Sequence, residues 1–215
     1  MTWIGKLYVW ATYRLYDELA WAYDPVSWLV SLGRWSRWRL LALDQVSGNR
    51  VLEMGFGTGE LLLEMSGRGL DPVGLDVSPA MQRVTARKLA RRGLEVPRLR
   101  GLTQAMPFPD ECFDSVVSTF PAGYILDPRT LHEAVRILCR PDPSTGKAGG
   151  RLVVVGLEVS IEVPAWRKVM RMLFGMQDRT VLAQFTDLAT AAGLHVHVLE
   201  QGSDRVRVPV VIAER

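Results

Sequence analysis

The sequence predicts an open α/β sheet, mostly parallel, with helices on both faces. Three observations carry that expectation. Short apolar runs alternate with helical runs from about residue 50 onward, "GGRLVVVGL" is apolar throughout as a strand covered on both faces must be, and the chain ends in two strand-like runs separated by a turn. In order, "NRVLEMGF" is a strand ended by glycine, "ELLLEMSGRG" a short helix closed by glycines, and "DPVGLDV" a second strand. "SPAMQRVTARKLARRG" is a helix with Ser78 as N-cap and Pro79 in the first turn, where its missing N–H costs nothing. "VPRLRGL" and "CFDSVVSTF" are further strands, and "DPRTLHEAVRILCR" is a helix with Leu131, Val135 and Leu138 on one face. "LHVHVLEQ", a turn at Gly202-Ser203-Asp204, and "VRVPVVIAE" form an antiparallel hairpin at the sheet's edge.

Composition narrows the function classes. A chain of 215 residues, 48% of them hydrophobic, can bury one large core. Its 26 basic and 23 acidic residues leave a net charge of only +3, which does not mark a polyanion partner, and nucleic acid is not expected. The basic face of "QRVTARKLARR" reads as a solvated helix surface, with no aromatic residues interleaved for base stacking. Cys112 and Cys139 have no metal-ligand spacing and suit a reducing compartment. There is no uncharged run of about 18 residues and no cleavable leader in "MTWIGKLYVW", so the expectation is a soluble, cytoplasmic protein with peripheral membrane contact left open.

The stretch "VLEMGFGTGE" supplies the ligand signal. In an open parallel sheet ligands bind at the carboxyl ends of the strands, and Gly55, Gly57 and Gly59 fall in the first strand-to-helix turn. Glycines bring backbone N–H groups close to a ligand, and the helix that follows favours a negative group, so the loop expects an anionic or zwitterionic small molecule. The dinucleotide pattern G-x-G-x-x-G is not met, because the third glycine comes one position early and Glu60 stands in its place. Asp76, at the end of the second strand and 17 residues beyond Gly59, offers two carboxylate oxygens to the hydroxyls of a ribose. A nucleoside is implied.

"VLEMGFGTGELL", "GLDVSPAM", "AMPFPDECFDSVVSTF" and "LHEAVRILCRP…GGRLVVV" resemble the successive motifs of class I S-adenosylmethionine-dependent methyltransferases over roughly residues 45–215. The segment "YDELAWAYDPVSWLVSLGRWSRWR", residues 16–39, resembles the start of the ubiquinone/menaquinone-biosynthesis C-methyltransferase group. The resemblance implies a Rossmann-like, seven-stranded, mostly parallel sheet with a C-terminal antiparallel hairpin. It implies an N-terminal helical lid over residues 1–43 and a methyltransferase domain over 44–215, with S-adenosyl-L-methionine (SAM) as cofactor. Carried over by position, Gly55, Gly57 and Gly59 line the methionine part, and Glu53 orients the loop and approaches the ammonium. Asp76 holds the ribose hydroxyls, Val77 and Met81 lie near the adenine, Phe120 joins the cofactor contacts, and Tyr23 closes over them from the N-terminal segment.

This chain departs from the pattern twice. Leu102 stands where the family often has an acid for the adenine amino group, so Thr103, Gln104 or backbone groups must substitute. "FPAGYIL" places Gly123 and Tyr124 where the family often has a pair of histidines, which leaves a catalytic role for such histidines without support. Methyl transfer from an activated sulfonium needs positioning above all, an effect that can reach roughly 7–11 kcal/mol. If a base is required, the candidates by location are Tyr124, Asp127, Glu158 and Tyr23. His132, His195 and His197 read as surface or packing residues, and no metal site is expected.

Six of the seven tryptophans lie in the first 38 residues. Asp24 and Pro25 open a helix on which Trp28, Leu32 and Trp35 follow one stripe and Val26, Leu29, Val30 and Gly33 another. Either both stripes pack on the domain, or one caps the cofactor and the other borders a greasy acceptor tunnel or a bilayer. "EVPAWRKVMRMLFGM", 162–176, is a basic amphipathic helix that packs on the core or forms the opposite wall. The expected function is methyl transfer to a small, hydrophobic or lipid-like acceptor of quinone or phenol type. The alternatives are a phospholipid N-methyltransferase and a non-catalytic SAM-binding sensor or partner protein. The sequence leaves the oligomeric state open.

Overall fold

The structure is a computed structural model that describes residues 34–144, 146, 148–157, 160–161, 180–203 and 206–215. Its elements, in chain order, are α1 (Arg34–Leu40), β1 (Arg50–Met54), α2 (Glu60–Gly67), β2 (Asp71–Asp76), α3 (Pro79–Arg91), β3 (Arg98–Arg100) and β4 (Ser115–Thr119). There follow α4 (Pro128–Ile137), β5 (Arg151–Val155), β6 (Ser160–Ile161), α5 (Thr180–Ala191), β7 (His195–Ser203) and β8 (Val206–Glu214). One sheet runs β3-β2-β1-β4-β5-β8, with β7 on the far edge of β8 and the two-residue β6 pairing β8 beyond the end of β5. The first five strands are parallel and β8 is antiparallel to β5, so the expected seven-stranded sheet with a C-terminal hairpin is present, with β6 added.

Period-two alternation sorts the strand residues between two cores. Val51, Val117, Val153 and Val155 face a cluster with α1 and α2, while Leu52, Met54, Val116, Leu152 and Val154 face a second cluster with α4 and α5. Both faces of β1, β4 and β5 are covered, which is why these strands read as continuous apolar runs.

Leu131, Val135 and Leu138 all pack in the second cluster, with Thr130, Ala134 and Ile137 buried beside them, and α4 stops at Ile137, where Leu138 turns extended to bridge Phe113. Gly202 and Ser203 pair with Arg207 and Val206 inside the hairpin ladder, so the connection comes later, at residues 204–205 outside the described set. Trp35, Trp38, Ala42 and Leu43 are buried in the same cluster as Val51 and Leu61. Trp35 therefore belongs to domain packing, whereas the rest of its stripe, and the helix expected at 162–176, lie outside the described residues.

Strand order reverses between β1 and β4, since β2 and β3 continue outward on one side of β1 and β5 on the other. The crevice at the carboxyl ends of β1 and β4 is where such a sheet holds its ligand.

Candidate functional site

The loop after β1 is built from both of its neighbours. Gly55 N–H donates to the Leu75 carbonyl at 2.7 Å, and Gly57 N–H donates to Asp76 Oδ2 at 2.9 Å. The Gly57 carbonyl accepts from the Thr85 hydroxyl of α3 at 3.0 Å. Both polar groups of Gly57 are thus fixed by side chains from the second strand–helix unit. All three glycines have positive φ, but their surroundings differ. A Cβ at Gly55 would stand 2.4 Å from the Tyr124 hydroxyl, and one at Gly59 would stand 2.3 Å from Thr85 Cγ2. A Cβ at Gly57 would meet nothing within 4 Å, so this glycine keeps a space open rather than making room for protein.

Asp76 occupies the hinge of the arrangement. Its Oδ1 accepts from Ser78 N–H at 2.8 Å while Oδ2 holds Gly57. Burial raises its pKa, and those two N–H groups oppose the rise. Each oxygen retains a lone pair for a ligand hydroxyl. Ser78 caps α3 as expected, accepting Met81 N–H at 3.3 Å. Val77 is 54% exposed beside Asp76, whereas Met81 is fully buried, so of the two Val77 is the one open to a ligand.

Glu53 lies beneath the loop, buried, with Oε2 lacking any hydrogen-bond partner. Its pKa is pushed up to about 8: desolvation raises it, the Arg39 guanidinium lowers it, Asp76 raises it, and the Leu62 N–H in the first turn of α2 lowers it. Leu75, Asp76 and Thr85 hold the loop's backbone, and the Leu62 N–H ties Glu53 to the first turn of α2 that follows it. A buried carboxyl oxygen without a donor fits a cationic group arriving in the site. The folded state binds a proton on Glu53 between its ordinary pKa of 4.5 and about 8 that the unfolded state releases. Stability from this group is therefore full below 4.5 and declines as pH rises through 8, with a limiting slope of about 1.4 kcal/mol per pH unit. In urea unfolding across this range, Glu53→Gln is expected to flatten the pH dependence and to be the more stable protein at the alkaline end. An unchanged slope in the variant would contradict the assignment.

The two described base candidates do other work. Tyr124 donates its proton to the Met54 carbonyl at 3.1 Å and shares a 2.8 Å hydrogen bond with the Ser118 hydroxyl. Burial pushes its pKa well above the ordinary phenol value, which disfavours the phenolate a base would need. It is a strut joining the ends of β1 and β4 under Gly55. Asp127 caps α4 through Arg129 N–H at 3.0 Å, and its ion pair with Arg129 holds its pKa down at about 2, too weak a base for a phenol. Glu158 and Tyr23 lie outside the described residues.

Thr103 bonds the Thr130 hydroxyl at 2.9 Å, and Gln104 donates to Asp127 at 3.2 Å, so both side chains tie the loop after β3 to α4. Leu102 is 58% exposed between that loop and β3. Phe120 leaves β4 in a left-handed conformation, φ 48°, with its ring stacked on Trp35 at 3.9 Å between centroids and pressed against Gly156. Sequence reasoning missed three supports: Thr85, Arg39, and Gln82, whose amide bonds the carbonyls of Asp76 and Leu99. The only signal for them was a polar residue on a helix face that should be apolar, as at Thr85. Among the described residues no three His, Cys, Asp or Glu side chains are grouped for a metal ion, and no helix is long and apolar enough to cross a membrane.

The chain shares its fold with SAM-dependent methyltransferases of known structure, and residues 51–141 match the family described as "Methyltransferase domain". A demethylmenaquinone methyltransferase of Thermus thermophilus is 37% identical over 147 residues, 66% of this chain and 63% of its own length. The chain spans less than two thirds of the length of the curated relatives it matches. Geranyl diphosphate C-methyltransferase from Streptomyces coelicolor, solved with Mg2+, geranyl diphosphate and S-adenosyl-L-homocysteine, shares the fold at TM-score 0.64 and 12% identity, over 84% of this chain and 79% of that one. The [4+2]-cyclase SpnF shares it at TM-score 0.60 and 18% identity, over 84% and 80%. A cyclase on the same frame means that the fold alone does not fix the chemistry.

Proposed function

We propose that the protein transfers a methyl group from SAM to a quinone-type acceptor, a small molecule with apolar character. The observation that carries the cofactor half is the open side of Gly57 directly against Asp76, with the unpartnered Glu53 oxygen below. The acceptor half is supported by the likeness to demethylmenaquinone methyltransferases. In this reading Asp76 accepts the ribose hydroxyls, the methionine part lies over Gly55 and Gly57, and Glu53 answers its ammonium. Val77 and Leu102 flank the adenine with apolar surface.

The cofactor supplies an already activated methyl group. The chain's own contribution is then to fix both reactants in line and exclude water, because neither Tyr124 nor Asp127 is poised as a base. Incubation with SAM and either a demethylated naphthoquinol or phosphatidylethanolamine, in matched micelles, tests the acceptor class. Homocysteine-nucleoside product forming with the quinol alone is expected, and product forming only with the phospholipid overturns the reading.

Leu102 offers no acceptor to the adenine amino group. Leu102→Asp is expected to tighten S-adenosylhomocysteine by about 1 kcal/mol, the worth of one added hydrogen bond, without affecting an analogue that lacks the base. Equal change for both ligands in calorimetry would remove Leu102 from the adenine site.

A further inference from the structure

We propose that the face formed by α3 and β3 is a docking surface for an anionic lipid membrane. Residues 79–100 carry seven basic side chains against one acid, Glu95, a local charge of +6. The whole chain carries 26 basic and 23 acidic residues, so the other 193 residues hold 19 against 22 and are net −3. The positive charge of the sequence is therefore concentrated in this stretch, which lies at one edge of the sheet, where β3 is the outermost strand.

The charges are placed to act together. Arg83, Arg87 and Arg91 recur every four residues along the exposed side of α3, and Arg92 and Arg100 are also exposed. Lys88 is set apart from the stripe by its pairing with Glu60. A stripe of this kind meets a plane of negative headgroups over its whole length, and each arginine near such a surface strengthens binding about fivefold.

A second observation favours lipid over nucleic acid. Beside the stripe lies a groove of about 700 Å³ lined by Ala86, Ala90, Leu94, Glu95, Val96 and Arg98 among others. Arg98 borders it with its Nη1 donating to the Val96 carbonyl at 3.0 Å. The groove sets aliphatic side chains that acyl chains can contact beside the charged Glu95 and Arg98. No aromatic residue occurs between 79 and 100 on which a base could stack. The inference goes beyond the proposed methyl transfer, and its test requires no turnover.

The test is flotation of the full chain with vesicles of equal parts phosphatidylglycerol and phosphatidylcholine, against vesicles of phosphatidylcholine alone. Binding to the anionic vesicles only, reversed by salt, is expected. R83Q/R87Q/R91Q should partition about a hundredfold more weakly and R87Q alone about fivefold, while R83K/R87K/R91K retains binding. S-adenosylhomocysteine affinity should stay constant in all three, which separates loss of docking from loss of fold or of cofactor binding. Undiminished flotation of the triple glutamine variant, equal binding to neutral vesicles, or tighter binding of an RNA oligonucleotide than of the anionic vesicles at the same salt would each overturn the proposal.

Discussion

Replacing Asp76 with alanine is expected to weaken S-adenosylhomocysteine binding by about two orders of magnitude or more, about 3 kcal/mol, while the protein remains folded. The size follows from what one carboxylate does twice over. It holds the glycine loop through Gly57 and the start of α3 through Ser78, and in the proposed site the same oxygens accept two ribose hydroxyls. Charge-assisted hydrogen bonds of this kind contribute about 1.5–3 kcal/mol each. Asp76→Asn keeps one acceptor but turns an amide N–H against a backbone N–H, so it should recover only part of the loss. Calorimetric titration reads both variants, and an affinity within twofold of the native protein in folded Asp76→Ala would take Asp76 out of the site.

Trp35→Ala is expected to cost about 3–5 kcal/mol of stability, the usual penalty for removing a buried tryptophan, out of the roughly 5–15 kcal/mol a domain possesses. Trp35 is 5% exposed, stacks on Phe120 at 3.9 Å, and packs in the cluster that includes Trp38, Leu61, Leu62 and Val117. It also holds Phe120 in a left-handed backbone conformation that costs about 1–2 kcal/mol for a residue with a Cβ. Losing the stack therefore frees the turn after β4, on the rim of the site. Urea unfolding should show the lost stability, and Trp35→Phe should restore much of it. A variant as stable as the native chain would mean that residues 34–43 are an appended cover, as the boundary at 43/44 supposed.

Much of the fold was legible because the signals are local. Alternating strand and helix runs, the cap Ser78–Pro79 and the apolar runs of β1 and β5 each follow from short-range pattern. The turn after β1 was legible for the same reason, since Gly55, Gly57 and Gly59 all take positive φ there. What the sequence concealed is contact across distance. Tyr124 looked like a base by its place after β4, but its hydroxyl reaches back 70 residues to the Met54 carbonyl. Asp127 looked catalytic at a strand end, but its neighbour Arg129 makes it a helix cap. Thr85 carried no motif, yet it both holds the Gly57 carbonyl and requires glycine at position 59. Trp35 gave no sign of its stacking partner, because Phe120 lies 85 residues further on.

The measurement that bears most directly on the central claim is transfer of a trideuterated methyl group from labelled SAM to a tailed demethylnaphthoquinol, read by mass spectrometry of the recovered quinone. The account predicts a product heavier by one trideuterated methyl, formed by the native protein and nearly absent with Asp76→Ala. Tight binding of S-adenosylhomocysteine together with no labelled quinone, phenol or lipid product would contradict it and leave a protein that holds the cofactor without transferring its methyl group.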